Sequence, residues 1–180
     1  MKEISEKELI DLCRKGDRKA QKAVFDRLAP KMFPVCLRYI PEREVAQDLL
    51  QDGFVTLFTK IDSYKGNGSF EGWARTVFVT TVLMYLRKKD ALKMSEDITA
   101  ARNLSSEGST QIQDLGYKEL LKMISELPTG FRTVFNLYVI EGFSHKDIAE
   151  MLGISEVTST SQLSRARAML QEQIRKYRNV

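Results

Sequence analysis

Apolar side chains recur along this chain at intervals of three and four residues, the period of a helix with one buried face. One series lies in a helix predicted from about Glu42 to Lys60, at Leu50, Phe54, Leu57, Phe58 and Ile61. A second series supplies a core in the C-terminal part of the chain, at Phe131, Val134, Phe135 and Tyr138. No segment shows the alternation typical of a strand, so the pattern predicts an all-α fold.

Capping and breaking signals predict the bounds of the first helices. Ser5 and Glu8 form a capping box for a first helix, and Asp17 is positioned to cap a second. Pro30 is predicted to break that second helix, because proline lacks the N–H group that a helix interior needs. The apolar segment 32–40 is therefore expected to form a separate element.

A change of composition predicts two domains. Residues 105–110 are small and polar and lack helical periodicity, which is typical of a flexible linker. We therefore predict two small helical domains, at residues 1–94 and 115–180, joined by a flexible linker at residues 95–114. Pro128 is expected to start a helix within the second domain.

The second domain contains the pattern of a helix-turn-helix. Ser144 and Asp147 form a capping-box-like start for a short helix, and Gly153 follows where the chain must turn sharply. Ser155 can then cap a second helix. Such a second helix can enter the major groove of DNA. An ordinary helical hairpin is the alternative reading of the same residues.

Composition narrows the possible functions. The net charge of +4 and a pI of about 9.0 favour a polyanionic partner such as nucleic acid. No apolar run has membrane-spanning length, and the first residues are too polar for a secretory signal. Cys13 and Cys36 lack CxxC spacing and are expected to be reduced, which predicts a cytoplasmic protein. With His145 as the only histidine, zinc sites and histidine-based catalytic triads are hard to build.

One side of the helix at 42–60 is polar and acidic, and comprises Glu44, Asp48, Gln51, Asp52 and Val55. Carboxylates four residues apart can bind a metal or share a proton, but no histidine or third acid joins them in sequence. A solvated face is the usual explanation of such a pattern. A docking face for a basic partner surface is the third possibility.

A glycine-containing loop is predicted from Asp62 to Gly72. Its Gly-x-Gly lacks both the spacing and the preceding strand of a dinucleotide site. The loop instead offers a mobile backbone with polar and aromatic side chains, followed by a helix that ends in Arg87-Lys88-Lys89. Rings interleaved with cations are typical of single-stranded nucleic acid binding. The alternative is that Phe70 and Trp73 belong to the core and that the basic run is a solvated helix end.

Several stretches in this order resemble bacterial extracytoplasmic-function sigma factors. They are the segments 46–54, 70–73 and 83–88, the pair Leu127-Pro128, and the helix-turn-helix that ends in Leu163-Ser164-Arg165-Ala166-Arg167. The resemblance covers nearly the whole chain, and the linker is its weakest part. The ordered set is specific, although no single motif is.

The resemblance implies three interaction surfaces. The first domain would dock on the coiled-coil clamp of core RNA polymerase through Asp48, Gln51, Asp52 and Val55. The loop and the helix after it would recognise and melt the minus-ten promoter element through Tyr64, Lys65, Asn67, Trp73, Thr80, Arg87 and Lys88. The second domain would bind the minus-thirty-five element in the major groove through Ser155, Thr158, Thr160, Ser161, Gln162 and Arg165.

The resemblance also implies partners. Core RNA polymerase and promoter DNA are expected, and an anti-sigma factor is expected because many relatives are held inactive by one. Members of the family are not enzymes, and neither a cofactor nor a metal is predicted.

The sequence departs from the family pattern at four positions, one of which is Val82, where a small residue is usual. Thr80 stands where Asn is usual, Val157 where Gly is usual, and Thr160 where Lys is usual. Losing that lysine removes a phosphate contact, so we expect weak or altered binding of the minus-thirty-five element. Two other functions stay open: a stand-alone helix-turn-helix regulator and, because of these departures, a sigma-like decoy that binds a partner without opening promoters.

Overall fold

The computed structural model describes residues 5–89 and 116–178. Every regular element in these residues is a helix, which confirms the all-α prediction. The chain divides into two compact units, Met1–Met84 and Tyr85–Val180. The predicted linker at 95–114 lies outside the described residues.

The first unit begins with three α-helices, α1 Glu6–Arg14, α2 Arg18–Tyr39 and α3 Arg43–Thr59. A short 3₁₀ turn at Ile61–Ser63 leads through the glycine-containing loop to α4, Phe70–Lys88. The predicted caps are confirmed: Ser5 and Glu8 form the capping box of α1, and Asp17 accepts the N–H of Ala20 at 2.8 Å. The predicted helix at 42–60 is α3, with Glu42 and Lys60 as its caps.

The predicted break at Pro30 is wrong, because α2 continues through both Pro30 and Pro34. A proline inside a helix costs about 3 kcal/mol. Along α2 a continuous apolar stripe is buried, and it comprises Ala20, Val24, Leu28, Met32, Val35, Cys36 and Tyr39. Each fully buried large apolar side chain contributes about 1.5–3 kcal/mol. Pro30 leaves the carbonyl of Asp26 without an N–H partner, and both residues are exposed, so water can bind that carbonyl. The burial therefore outweighs the cost of the prolines.

The buried face of α3 lies about one residue from the predicted one. Phe54 and Leu57 are buried as predicted, but Leu50 and Phe58 are only half-buried, and Leu49 is buried instead. The cause is the packing of α4 against α3 at Gly53, where an added Cβ would lie 2.2 Å from Cε1 of Phe78.

The second unit contains α5 Tyr117–Ser125, α6 Thr129–Phe135, α7 His145–Leu152 and α8 Glu156–Arg178, with a π-helical segment at Asn136–Ile140 directly after α6. Its core is formed by Met123, Ile124, Leu127, Phe131, Ala166, Leu170 and Ile174. The buried guanidinium of Arg132 donates to the carbonyls of Ser125 and Leu127, at 2.9 and 2.8 Å, and so satisfies the end of α5. Pro128 is the N-cap residue of α6.

The prediction that Tyr138 belongs to the core is wrong, because a π-helical segment follows α6. The N–H of Glu141 donates to the carbonyl of Asn136 at 2.9 Å, a bond that spans five residues. This wider turn rotates the following side chains away from the 3.6-residue period. Leu137 is consequently buried in place of Tyr138, which is 36% exposed.

Candidate nucleic-acid interfaces

The helix-turn-helix is present as predicted, in α7 and α8. Ser144 accepts the N–H of Asp147 at 3.2 Å, and Asp147 accepts the N–H of Ser144 at 3.1 Å. The hydroxyl and the N–H of Ser144 both donate to the Asp147 carboxylate and lower its pKa. Gly153 takes the left-handed conformation, with φ of 69°. The hydroxyl of Ser155 accepts the N–H of Thr158 at 3.0 Å and caps α8.

A side-chain contact joins the two helices of this motif. Nδ1 of His145, the first residue of α7, lies 2.9 Å from Oγ of Ser159 in α8. The imidazole also stacks on Tyr138, with 4.4 Å between ring centroids. Ile148 and Leu163 are buried. These contacts hold the start of α8 at a fixed position relative to α7.

The N-terminal part of α8 presents most of its predicted DNA-binding residues to solvent. Ser155, Thr160, Ser161 and Arg165 are exposed, and Thr158 is half-buried. Gln162 differs from the rest, because it is only 6% exposed and lies on the buried side of α8.

Val157 also belongs to this exposed part of α8, and it is 79% exposed. It was noted in the sequence as a departure from the family pattern but was not predicted as a contact. Its position three residues before Thr160 and four before Ser161 is the signal that puts these side chains on one helical face.

The acidic side of α3 forms one continuous exposed surface. Asp48, Gln51, Asp52 and Val55 are all exposed, at i, i+3, i+4 and i+7 spacing, and Val55 is 66% exposed despite being apolar. Among residues 5–89 and 116–178, no three histidine, cysteine or carboxylate side chains are grouped closely enough to hold a metal ion.

An apolar groove between α2 and α3 was not predicted from the sequence. Its volume is about 400 Å³, and its lining includes Phe25, Pro30, Phe33, Arg43 and Leu50. The guanidinium of Arg43 lies 5.1 Å from the centroid of the Phe33 ring. The groove could not be predicted from the sequence, because the two prolines of α2 predicted separate elements. In the structure a single helix, α2, forms one wall of the groove.

The glycine-containing loop is held by contacts on both sides, which differs from the mobile backbone that we predicted. The Tyr64 hydroxyl donates to the carbonyl of Gly68 at 2.8 Å. Its half-buried ring packs against Phe70 and Trp73, with centroids 5.3 and 5.5 Å apart. The loop is also shorter than predicted, because Ser69 accepts the N–H of Gly72 and α4 begins at Phe70.

Lys65 and Asn67 are exposed on this loop. A cleft of about 550 Å³ lies between the loop and α1, and its lining includes Tyr64, Lys65, Gly66, Ile10 and Arg14.

Helix α4 carries an exposed stripe beyond the loop. The predicted residues Thr80, Arg87 and Lys88 are exposed on it, and Trp73 is half-buried near its start. The Thr80 hydroxyl donates to the carbonyl of Thr76 at 2.8 Å, so its lone pairs remain to accept a further hydrogen bond.

The stripe on α4 also includes Thr76 and Met84, which the sequence prediction missed. Both are exposed, and Met84 is 63% exposed. Each lies four residues from Thr80, and this helical spacing is the signal that identifies them.

Among the described residues, no helix combines the length and the apolar character that crossing a lipid bilayer requires.

Two protein-family models match the chain in succession. The model described as "Sigma-70 region 2" matches residues 24–92, and the model described as "Sigma-70, region 4" matches residues 117–170. The acidic face of α3, the loop and α4 lie within the first match, and the helix-turn-helix lies largely within the second.

Individual sigma factors are similar to this chain over nearly its whole length. The ECF RNA polymerase sigma-E factor of Haemophilus influenzae is 26% identical over 183 residues, and 96% of each chain is covered. The factor of the same name from Escherichia coli K12 is also 26% identical over 183 residues, with 96% of this chain and 95% of that chain covered.

A solved structure shares the fold. The sigma factor RpoE in complex with the anti-sigma factor NepR from Bartonella quintana is similar with a TM-score of 0.53 and 24% identity, covering 86% of this chain and 96% of that chain.

Proposed function

This chain belongs to the extracytoplasmic-function group of RNA polymerase sigma factors, and we propose that it recruits core polymerase to promoters through three separate surfaces. The observation that carries this proposal is the order of the two matches, sigma-70 region 2 at residues 24–92 and region 4 at 117–170. The proposed domains are residues 1–94 and 115–180, with the connecting segment at 95–114.

Core polymerase docks on the exposed face of α3. Asp48 and Asp52 supply negative charge to a basic partner surface, and Gln51 supplies a polar contact between them. Val55 supports this role, because its 66% exposed side chain gives the face an apolar end that a partner can bury. Charge of this kind mainly raises the association rate, and the apolar contact slows dissociation.

The loop and α4 read the minus-ten element after the strands separate. The cleft beside the loop, at about 550 Å³, has a volume within the range of small-molecule sites, which suits one unstacked nucleotide. Lys65 and Asn67 supply polar contacts, and Arg87 and Lys88 follow the phosphates.

At the centre of this stripe, Thr80 acts as an acceptor. Because its proton is donated to the carbonyl of Thr76, it can accept a hydrogen bond from an exocyclic amine, which adenine, cytosine and guanine carry and thymine lacks.

The exposed start of α8 binds the minus-thirty-five element in the major groove. Exposed Arg165 can donate to phosphates and bases. The Ser161 hydroxyl donates to the carbonyl of Thr158 at 3.0 Å and the Ser155 hydroxyl lies 2.8 Å from that of Thr158, so these two serines serve mainly as acceptors for base donors. The Thr160 hydroxyl donates to the carbonyl of Glu156 at 2.9 Å, so it offers no positive charge and no free proton to a phosphate. This supports weak or altered binding at this element, and the 79% exposed side chain of Val157 adds bulk where the backbone approaches the DNA.

An anti-sigma factor is the third partner, after polymerase and promoter DNA. The support is the related sigma factor from Bartonella quintana, which was solved in complex with an anti-sigma factor. The chain performs no chemistry of its own, since the polymerase forms the phosphodiester bonds. Its place of action is the cytoplasm, where the polymerase transcribes.

The proposal is tested by reconstitution with core polymerase and run-off transcription from promoters selected from a random DNA library. We expect Asp52→Ala to weaken polymerase binding by at least tenfold. Glu150→Ala is the matched control, because it removes an exposed carboxylate from the other unit and should leave polymerase binding unchanged.

The three candidate functions predict different results in this assay. Polymerase binding together with promoter-dependent transcripts supports the sigma factor. DNA binding without polymerase binding would instead support a stand-alone regulator, and polymerase binding without transcripts would support a decoy.

A further inference from the structure

Helix α1 ends against the promoter-reading loop, although it lies outside the matched segment at 24–92. Arg14, the last residue of α1, directs its guanidinium at three acceptors. Nη2 donates to the carbonyl of Tyr64 at 2.7 Å, Nη1 donates to the Asp11 carboxylate at 2.8 Å, and Nε lies 3.8 Å from the Asp62 carboxylate.

The carbonyl that Arg14 binds belongs to the residue that closes the loop. The Tyr64 hydroxyl reaches across to the carbonyl of Gly68, while its ring is held against Phe70 and Trp73. Gly66, between these two ends, has a positive φ of 81°. Arg14 therefore fixes the backbone at one end of a loop whose other end is fixed by the tyrosine side chain.

We propose that Arg14 is a positioning residue for minus-ten recognition. It holds the loop in the conformation that contacts the minus-ten bases, and it makes α1 the second wall of the cleft. The inference rests on the proposed function of the loop. Asp11 orients the guanidinium before Tyr64 binds it, so little side-chain freedom is lost when the loop forms. A charged donor on a carbonyl is also stronger than a neutral one.

A direct phosphate contact by Arg14 is the competing explanation, and salt dependence separates the two. Removing a cation that neutralises a phosphate makes the slope of log affinity against log salt shallower by about 0.7 on single strands and about 0.9 on duplex DNA. Removing a positioning residue leaves that slope unchanged and instead reduces the discrimination between minus-ten sequences.

The experiment compares Arg14→Ala and Arg14→Lys with Lys15→Ala. Lys15 is the adjacent, exposed residue, so its substitution removes the same charge without touching the loop. Holoenzyme is bound to a library of forked DNA randomised over the minus-ten bases, and the bound sequences are counted. Affinity for the best sequence is then measured across a salt series.

We expect Arg14→Ala to reduce discrimination between the best and the median sequence by about tenfold, with an unchanged salt slope. Arg14→Lys should lie between wild type and alanine, because lysine keeps one donor but not the fork. Lys15→Ala should keep full discrimination. A shallower slope with intact discrimination in Arg14→Ala would establish a phosphate contact and overturn the proposal. An Arg14→Ala variant with neither a changed slope nor changed discrimination would also overturn it.

A measurement on the free chain is independent of polymerase and DNA. Trp73 is the only tryptophan and packs against Tyr64, so its quenching by acrylamide reports the packing of the loop. Arg14→Ala should raise the quenching constant at least 1.5-fold at temperatures where circular dichroism shows full folding, while Lys15→Ala should not. Unchanged quenching in Arg14→Ala would refute the positioning role. A wild-type holoenzyme that selected no sequence would refute the proposed function, and the quenching result would still decide the role of Arg14.

Discussion

Replacing Gly53 by alanine should destabilise the first unit, against the usual preference of helices for alanine. Gly53 lies in the middle of α3, where alanine is favoured by about 1 kcal/mol over glycine. The added Cβ, however, would lie 2.2 and 2.3 Å from two carbon atoms of the Phe78 ring. Ordinary carbon contacts are about 3.5–4.0 Å, so the overlap exceeds roughly 1 Å.

The ring is enclosed in the core, so it can move only by displacing its neighbours. Phe78 is 0% exposed and packs edge-on against Phe54, with ring centroids 5.1 Å apart. Overpacking of a core costs about 1–3 kcal/mol, and an overlap of this size belongs to the upper end. After subtraction of the helix preference, we expect Gly53→Ala to lower the free energy of unfolding by about 2 kcal/mol.

Urea unfolding followed by Trp73 fluorescence measures this change in the first unit. With a slope of about 2 kcal/mol per molar urea, the midpoint should fall by about 1 M. The control is a double-mutant cycle with Phe78→Leu, whose shorter side chain should relieve the overlap and make the double variant about 1 kcal/mol more stable than additivity predicts. A Gly53→Ala variant as stable as wild type, or more stable, would refute the reasoning.

Three further predictions concern the thiols, a helix cap and the proposed DNA contact. Burial raises the pKa of the Cys36 thiol to about 12 and also raises the pKa of Cys13. Neither thiol should therefore react with a thiol reagent at pH 8 until urea unfolds the chain. Rapid reaction of the folded chain would contradict their burial. Hydrogen bonds from Ser144 lower the pKa of Asp147, so its stabilising effect is present above the ordinary carboxyl pKa and is lost as pH falls through the lowered value. The difference in melting temperature between wild type and Asp147→Asn should therefore shrink below about pH 4, and a constant difference would exclude an ionised cap. Thr160→Lys should increase affinity for the minus-thirty-five element and steepen the salt slope by about 0.9; no change in either would show that this position does not face a phosphate.

Signals that act within a few residues were predictable from the sequence. The capping boxes at Ser5 and Ser144 and the left-handed turn at Gly153 were all predicted, and the structure confirms them. Each depends on atoms three or four positions apart, so the sequence alone contains both partners. The exposure of Asp48 and Asp52 could also be predicted from the sequence, because they lie on a polar stripe at helical spacing, opposite an apolar stripe.

Contacts between distant segments decided the rest. Helix α2 continues through Pro30 because buried side chains along its whole length outweigh the local cost of proline. Tyr138 faces outward because a π-helical segment rotates the chain after α6, and Tyr64 turns inward because Phe70 and Trp73 receive its ring.

The sequence by itself therefore determined which segments are helical, where most of them begin and which faces are polar. Only the tertiary structure decided which apolar residues are buried and which loop side chains are exposed. The physical reason is that burial energy is shared among residues far apart in sequence, and it can exceed the few kcal/mol that any local signal contributes.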